Sequence, residues 1–580
     1  MPPETASSDA DAMPSNPKSA GSDRDVCGRL AHSRWAVWAL LALSLLMFVP
    51  GIASLPVTDR DEARYAQASR QMVESGDYVH IRFQDEARNK KPVGAYWLQA
   101  TAARIVDRVA SGAIWPYRLP SLIGAIAAVL LLFALARPAF GPSTAFLAAG
   151  LLAASVLAAS EARLAKTDAL LLATAVAAQL ALVRIYLARV NASSPSVGLA
   201  LTFWIAQGLA ILIKGPVVPF VSLLTVAALA LSDRRTRWLR SLGAPWGIPL
   251  ALLIAAPWFV ALSLGGAGAA GDFVRESIGN DLIPKLLGGQ ERHGGWPGTY
   301  LLLSPLTFWP GSLLLLPALI VAWRERARPE VRALLAWLVP AWIAMELIPT
   351  KLPHYVLPLY PALALLVARA AVDRVSELGA ILGRVVGRLW LGFWIALGFA
   401  LAALGIAAVL ALHDGGAIIA AIALFVAGVT LAIVAAVLAR RERFIAALGF
   451  AVALAVPFHA LLFAGVAPRL DSLWLSRAAA AMVADHAGAE RSTVASAGYS
   501  EPSLVFMLGT GTLLTDGKGA AAALADGRAT RAVVERRQDT AFRAEASRLG
   551  IAPKDLASVT GLNYSRGQAT TLRLYGASGQ

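Results

Sequence analysis

Three carboxylates crowd the residues just beyond the first long apolar run: Asp59, Asp61 and Glu62, followed by Arg64 and Tyr65. A carboxylate near the bilayer among arginines can act as a general base, taking a proton from an acceptor hydroxyl. Asp59 or Asp61 can equally cap the helix that follows. Further on, Lys90-Lys91-Pro92 precedes Tyr96-Trp97. One reading is a snorkelling lysine pair with interfacial aromatics. The other is a cation held against a lipid phosphate, stabilising it as a leaving group. More lysines interrupt apolar sequence. Lys166-Thr167-Asp168 opens a run, with Thr167 or Asp168 as an N-cap; Lys214-Gly215-Pro216 parts two runs; Lys351-Leu352-Pro353-His354-Tyr355 opens another. Charges at the rim of a membrane are costly and usually face a cavity or a partner, which points Lys214 and Lys351 toward function. His293 stands in a polar loop, where a surface position is the simpler reading.

Only apolar helices can position these groups. Of 580 residues, 57% are hydrophobic and 15% charged, where a soluble protein carries roughly 25% charged. The charges fall between apolar runs of about 18 residues, the length that crosses a bilayer. Spans are predicted at 35–55, 119–135, 143–160, 167–187, 199–213, 216–232, 246–264, 299–322, 331–348, 355–372, 388–411, 416–438 and 443–466, thirteen in all. Alternate connectors are rich in arginine, as at Arg234, Arg237 and Arg240, Arg324, Arg326 and Arg328, or Arg440, Arg441 and Arg443. By the positive-inside rule this puts the N-terminus in the cytoplasm and, with an odd number of spans, the C-terminus outside.

Two outside loops are long. Loop 56–118 is rich in cations, which breaks the charge rule and calls for an anionic ligand at the outer face; segments 61–75 and 94–109 read as amphipathic helices along the interface. Loop 265–298 is glycine-rich. Residues 1–34 read as a disordered cytoplasmic tail and 35–470 as the transmembrane domain. Residues 471–580 read as a small extracytoplasmic α/β domain, with a helix at 474–487, a strand at 492–497, a turn at Gly509-Thr510-Gly511-Thr512 and a final strand at 569–575. The net charge of +15 lies in the connectors, which fits topology and membrane lipids as partners, not a nucleic acid. With Cys27 as the only cysteine, neither an intrachain disulfide nor a thiolate cluster is possible.

The run DEARYAQASRQM, then SGDY, RF and KKPVGAYWL, resembles the first external loop of bacterial membrane glycosyltransferases of the glycosyltransferase-C superfamily. The similarity is greatest to the lipid A aminoarabinose transferase group and to the protein O-mannosyltransferase-like families, glycosyltransferase family 39 among them. KTDALLL, IKGP and KLPHYVLPLYPALA continue the match in order, over about residues 35–370. The resemblance implies a polytopic α-helical membrane protein of glycosyltransferase-C type, an enzyme of the bacterial inner membrane whose C-terminal domain is periplasmic. It implies a polyprenyl-phosphate-sugar donor and an acceptor such as lipid A or another envelope glycan or protein. Asp61 then corresponds to the catalytic carboxylate and Asp168 to a second functional acid. Lys91 and Tyr355 correspond to contacts for the donor phosphate, with Lys214 and Lys351 around the same cavity. Asp59, Glu62, Arg64, Tyr65, Lys90 and His293 are further cavity candidates. In the aminoarabinose transferases a Glu before the lysine and a histidine in the second long loop resemble a zinc site. Lys90 and Ser277 stand near those positions here, so no metal is expected and no cofactor is assigned. A flippase of lipid-linked sugars is the competing reading; it should spread its functional charges over both faces and show internal repeats, and neither feature is present.

Overall fold

The structure, a computed structural model, describes residues 28–109, 112–234, 236–265, 268–287, 294–486 and 493–576. Each of the thirteen apolar runs is helical, and among the described residues eight helices are long and apolar enough to cross a membrane. The chain is a multi-pass membrane protein. Burial separates centre from rim: 89% of the Pro353–Asp373 window lies inside the protein, against 22% for Val385–Leu412, whose side chains are left to lipid.

Two runs break, and the breaks touch. The run at 143–160 stops at Ser155, whose extended backbone (ψ 135°) ends the helix Pro142–Ala154. Its hydroxyl then accepts from the Ala158 N–H to start Val156–Glu161. The run at 299–322 divides into Thr299–Thr307 and Gly311–Arg324 around Trp309-Pro310, because proline lacks the N–H a helix needs. The two breaks meet where the Val156 N–H donates to the Trp309 carbonyl at 3.0 Å. Glycines permit two close approaches. A Cβ on Gly124 would lie 2.9 Å from the Leu170 backbone, and one on Gly94 would lie 2.7 Å from the Leu212 carbonyl oxygen. The first brings Trp115–Phe140 against Asp168–Val190. The second brings the loop helix Gly94–Ile105 against Val197–Lys214.

The first long loop holds the helices Asp61–Ser75 and Gly94–Ile105, joined by a short antiparallel hairpin of β1 (Arg82–Phe83) and β2 (Glu86–Ala87). After the last span, a helix Leu475–Asp485 leads into a five-stranded sheet. Its strands are β3 (Val494–Ala497), β4 (Leu513–Thr515), β5 (Arg531–Glu535), β6 (Lys554–Asn563) and β7 (Gln568–Gly576), in the order β4-β3-β5-β7-β6. β3 is parallel to β4 and β5, which are reached through helices Pro502–Leu508 and Gly517–Ala525; β7 is antiparallel to β5 and β6.

Helix Asp61–Ser75 does not lie free along an interface, as its amphipathic pattern suggested. The C-terminal unit covers it. Arg70 donates to the Phe506 carbonyl at 3.0 Å, Gln67 donates to the Thr510 hydroxyl at 2.7 Å, and that hydroxyl donates to Glu74 at 2.7 Å. Gln84, in the hairpin turn, donates to the Thr510 and Thr512 carbonyls. The Gly-Thr-Gly-Thr turn therefore serves as a contact surface for the loop.

Candidate active site

Helix Asp61–Ser75 starts with two acids in its first turn. Neither caps it: the N-cap is Arg60, which makes no side-chain cap bond, so the capping reading of Asp59 and Asp61 does not hold. Each of the three carboxylates goes elsewhere.

Glu62 points inward and is fully buried against Arg118 at 2.7 Å. It also accepts from the Ala165 N–H at 2.9 Å and from the Thr58 N–H and hydroxyl. Arg118 uses its remaining donors on the carbonyls of Ile52, Leu55 and Pro56. The pair therefore ties the end of the first span, loop 1, the second span and connector 161–166 together. Although Glu62 borders the cavity, it is a structural anchor and not a free cavity group. Burial raises its pKa, but Arg118 and the hydrogen bonds more than reverse this and hold it below the usual carboxylate range.

Asp59 turns toward the C-terminal unit. Its carboxylate accepts from the Ser503 hydroxyl, and its N–H donates to the Tyr564 hydroxyl at 2.6 Å. Ser503 also pairs with the Ser476 hydroxyl at 2.6 Å, and Ser476 pairs with Tyr499 at 2.8 Å. Burial pushes the Asp59 carboxyl up to about 6 against the Ser503 hydrogen bonds, and Glu501 adds to the rise. A raised folded-state pKa stabilises below the unfolded value, and that contribution is lost as pH rises through the folded one. Between about pH 4 and 7, the wild type should lose about 1 kcal/mol relative to Asp59→Asn, a figure reduced for partial exposure. Thermal unfolding at several pH values checks this; parallel curves for the two proteins would contradict it.

Asp61 faces a cavity of about 300 Å³. Burial would raise its pKa, but Lys166, Arg88 and His354 outweigh that and hold it low, so the carboxylate is ionised and ready to accept a proton. Eight cationic side chains and five carboxylates line the cavity, which makes it an anion site overall. Asp168 opens its helix at the cavity wall and accepts from Lys214 at 2.5 Å. His354 lies between two acids, with Nδ1 3.7 Å from Glu161 and Nε2 4.0 Å from Asp168. Lys166 holds Glu161 at 3.0 Å. The Tyr355 ring has the Lys214 ammonium 5.6 Å from its centroid. Tyr65 stacks on Tyr96 at 4.8 Å, and Arg88 lies over Tyr65 while donating to the Tyr96 hydroxyl at 3.3 Å. Arg64 and Lys90 also line the wall.

Lys91 bonds Asp281 at 2.7 Å, and Lys285 bonds the other oxygen of the same carboxylate at 2.5 Å. Burial lowers the Lys91 pKa, which Asp281 only partly offsets. Two ammonium groups sharing one carboxylate leave a net positive charge at the mouth, joining the first long loop to the second.

The structure brings together Asp61, Asp168, Lys91, Lys214 and Tyr355, with Asp59, Arg64, Tyr65 and Lys90 at the edges. Lys351 is different. Its ammonium donates to the carbonyls of Met345, Glu346 and Ile348 at 3.0, 2.5 and 2.6 Å, and it does not line the cavity. It closes the C-terminal end of helix Pro329–Leu347, where unpaired carbonyls attract a cation, so it is not a donor-phosphate contact. His293 lies outside the described residues. The sequence expectation leaves out Arg88, Lys166, Asp281, Lys285 and His354. His354 sits inside KLPHY, and Asp281 and Lys285 form an i,i+4 pair in the second long loop; both were available as signals. Glu161, behind the wall, had none.

No group of three His, Cys, Asp or Glu is placed to hold a metal ion among the described residues. The residues present do not fit a zinc site: ammonium groups already occupy the Asp281 carboxylate.

Loop helices packed over a hub of broken spans, with an ionised acid facing a cationic hollow, define a glycosyltransferase-C type fold. ArnT from Cupriavidus metallidurans bound to undecaprenyl phosphate superposes with a TM-score of 0.73 at 19% identity, covering 93% of this chain and 98% of that one. Its apo form gives 0.70 at 20% identity, with 93% and 97% covered. Residues 90–260 match the family of dolichyl-phosphate-mannose-protein mannosyltransferases. An undecaprenyl phosphate-alpha-4-amino-4-deoxy-L-arabinose arabinosyl transferase from Pseudomonas paraeruginosa is 30% identical over 363 residues, 62% of this chain and 64% of the relative. The Pseudomonas aeruginosa enzyme of the same name is 31% identical over 366 residues, again 62% and 64%. The chain thus matches just under two thirds of the length of these relatives. The resemblance to the glycosyltransferase-C group, drawn from four motifs, is borne out.

Proposed function

We propose that the protein transfers a sugar from a polyprenyl-phosphate donor to an envelope acceptor, with lipid A the first candidate. The observation that carries this reading is the convergence of Asp61, Lys91, Asp168, Lys214 and Tyr355 on one cavity. These residues come from four separate stretches of chain, and Asp61 is kept ionised there amid excess cations. The names of the relatives, which describe an undecaprenyl phosphate sugar as donor, support it.

In this reading Lys91 and Lys285 receive the donor phosphate at the mouth, and Tyr355 and Lys214 border it farther in. Asp61 takes the proton of the acceptor hydroxyl. The acceptor oxygen attacks the anomeric carbon, the bond to the phosphate oxygen breaks, and the electron pair leaves with the lipid phosphate. A single displacement inverts that carbon. Asp168 is already held by Lys214, so its role is to orient that ammonium while Asp61 serves as base. The cations stabilise the charge that grows on the leaving phosphate, an effect larger in a dry cavity than in water.

Lys91→Ala should raise the apparent KM for the lipid donor about tenfold and change kcat less, as loss of a binding contact does. Steady-state kinetics over a donor series checks this; an unchanged KM with reduced kcat would assign Lys91 to the chemical step instead.

The arginine-rich connectors support a cytoplasmic N-terminus and a periplasmic face for the cavity. The division into 1–34, 35–470 and 471–580 follows, with the last part periplasmic and over the first long loop. Nucleotide sugars are confined to the cytoplasm, so a lipid carrier is the donor that reaches this face. The test is mass spectrometry of lipid A and envelope glycans from cells with and without the protein. The loss of one sugar is expected, and identical glycans would count against the proposal.

A further inference from the structure

A second cavity, of about 600 Å³, lies at the other end of the spans from the candidate active site. Helix run Pro353–Asp373 starts at the active cavity with His354 and Tyr355 and ends at this one with Asp373. Its 21 residues separate the two by roughly 30 Å.

Three guanidinium groups, Arg328, Arg369 and Arg374, line this cavity and converge on Glu325 at 3.1, 2.6 and 2.7 Å. Glu325 and Asp373 face these arginines, and Glu377 also pairs with Arg374, at 3.7 Å. Arg328 is the most exposed of the three and reaches Glu325 through its Nε. A separate feature faces the same space. Ser143 and Leu147 belong to helix Pro142–Ala154, so the positive end of that helix opens into the cavity. Amide N–H groups of a first helical turn have no carbonyl to pair with and favour an anion. Leu147, Val372 and Ile445 give the cavity an apolar side. Ser143, Arg328, Asp373 and Arg374 sit at or next to the ends of helices Pro142–Ala154, Pro329–Leu347 and Tyr360–Asp373.

We propose that this cavity binds the phosphodiester of one anionic phospholipid, with the phosphate between Arg328 and the Ser143 helix end and the glycerol against the apolar side. Guanidinium groups match the paired oxygens of a phosphodiester monoanion. A zwitterionic lipid carries the same phosphate with an ammonium that the arginines repel, so phosphatidylethanolamine should bind more weakly.

The test is native mass spectrometry of the full-length protein in mild detergent, with phosphatidylglycerol, phosphatidylethanolamine and inorganic phosphate as probes. One retained phosphatidylglycerol is expected. Arg328→Gln and Ser143→Glu should each cut its occupancy at least fivefold. Glutamate in a first helical turn favours the helix itself, so Ser143→Glu separates lost binding from lost folding, and an unchanged melting curve verifies this. Arg441→Gln, at an exposed arginine that does not line the cavity, should retain wild-type occupancy. Wild-type retention by both cavity variants would overturn the proposal. So would complete displacement of the lipid by low-millimolar inorganic phosphate, which would assign the cavity to the free anion.

Discussion

Asp61→Asn should abolish measurable sugar transfer while the protein inserts and melts as the wild type does. Asparagine keeps the size and the acceptor oxygen of the side chain but cannot take a proton at neutral pH. General-base catalysis contributes about 10²- to 10⁴-fold, so a fall of about 10³ is expected. The fold should survive because Asp61 makes no buried bond of the kind that holds Glu62. Lys166, Arg88 and His354 outweigh burial and hold Asp61 below the ordinary carboxylate range, so it does not titrate near neutrality. An acid limb nearer neutrality therefore belongs to another group. Asp59 is pushed up to about 6 by burial, and Glu161 to about 7 by burial against the pull of Lys166. Asp59→Asn should move such a limb if the contact with the C-terminal unit controls the loop. Transfer measured from pH 4 to 8 for the three proteins separates these cases. Substantial turnover by Asp61→Asn would reject it as the base.

Glu62→Ala should have the largest effect on stability. It would leave Arg118 charged and fully buried without its carboxylate, and unpairing one member of a buried ion pair costs about 3–5 kcal/mol. The N–H groups of Thr58 and Ala165 lose their acceptor as well. Little folded protein should be recovered in detergent. Glu62→Gln retains an acceptor and should fall between the wild type and Glu62→Ala. Equal melting of Glu62→Ala and wild type would show that the pair does not anchor the loop. The neighbours Asp61 and Glu62 are thus expected to fail in different ways, one in chemistry and one in folding.

These contrasts mark where the sequence stops being informative. Apolar length predicted all thirteen helical runs, because a bilayer leaves the backbone no alternative to internal hydrogen bonds. The strand at 494–497 and the last strand emerged from short apolar stretches between turns. The breaks at Ser155 and Trp309-Pro310 were carried by residue types that cap or interrupt helices, yet hydropathy alone reads through both. In the site, charge in an apolar setting marked Lys214, which lines the cavity, whereas Lys91 and Asp168 were marked by the family resemblance. The same signal misplaced Lys351, because it registers the cost of a buried charge without naming the partner. Lys351 found three carbonyls one turn away; Glu62 found Arg118 from the next span. The Asp59 contact with Ser503 spans most of the chain and leaves no local pattern.

The most direct test of the central claim is a single-turnover reaction of the purified protein in proteoliposomes, with a radiolabelled polyprenyl-phosphate sugar and lipid A. Product and released polyprenyl phosphate would be followed together. The account predicts equal amounts of the two, an inverted anomeric centre in the product, and no turnover with Asp61→Asn. Retention of configuration, or lipid-phosphate release that Asp61→Asn leaves intact, would contradict it.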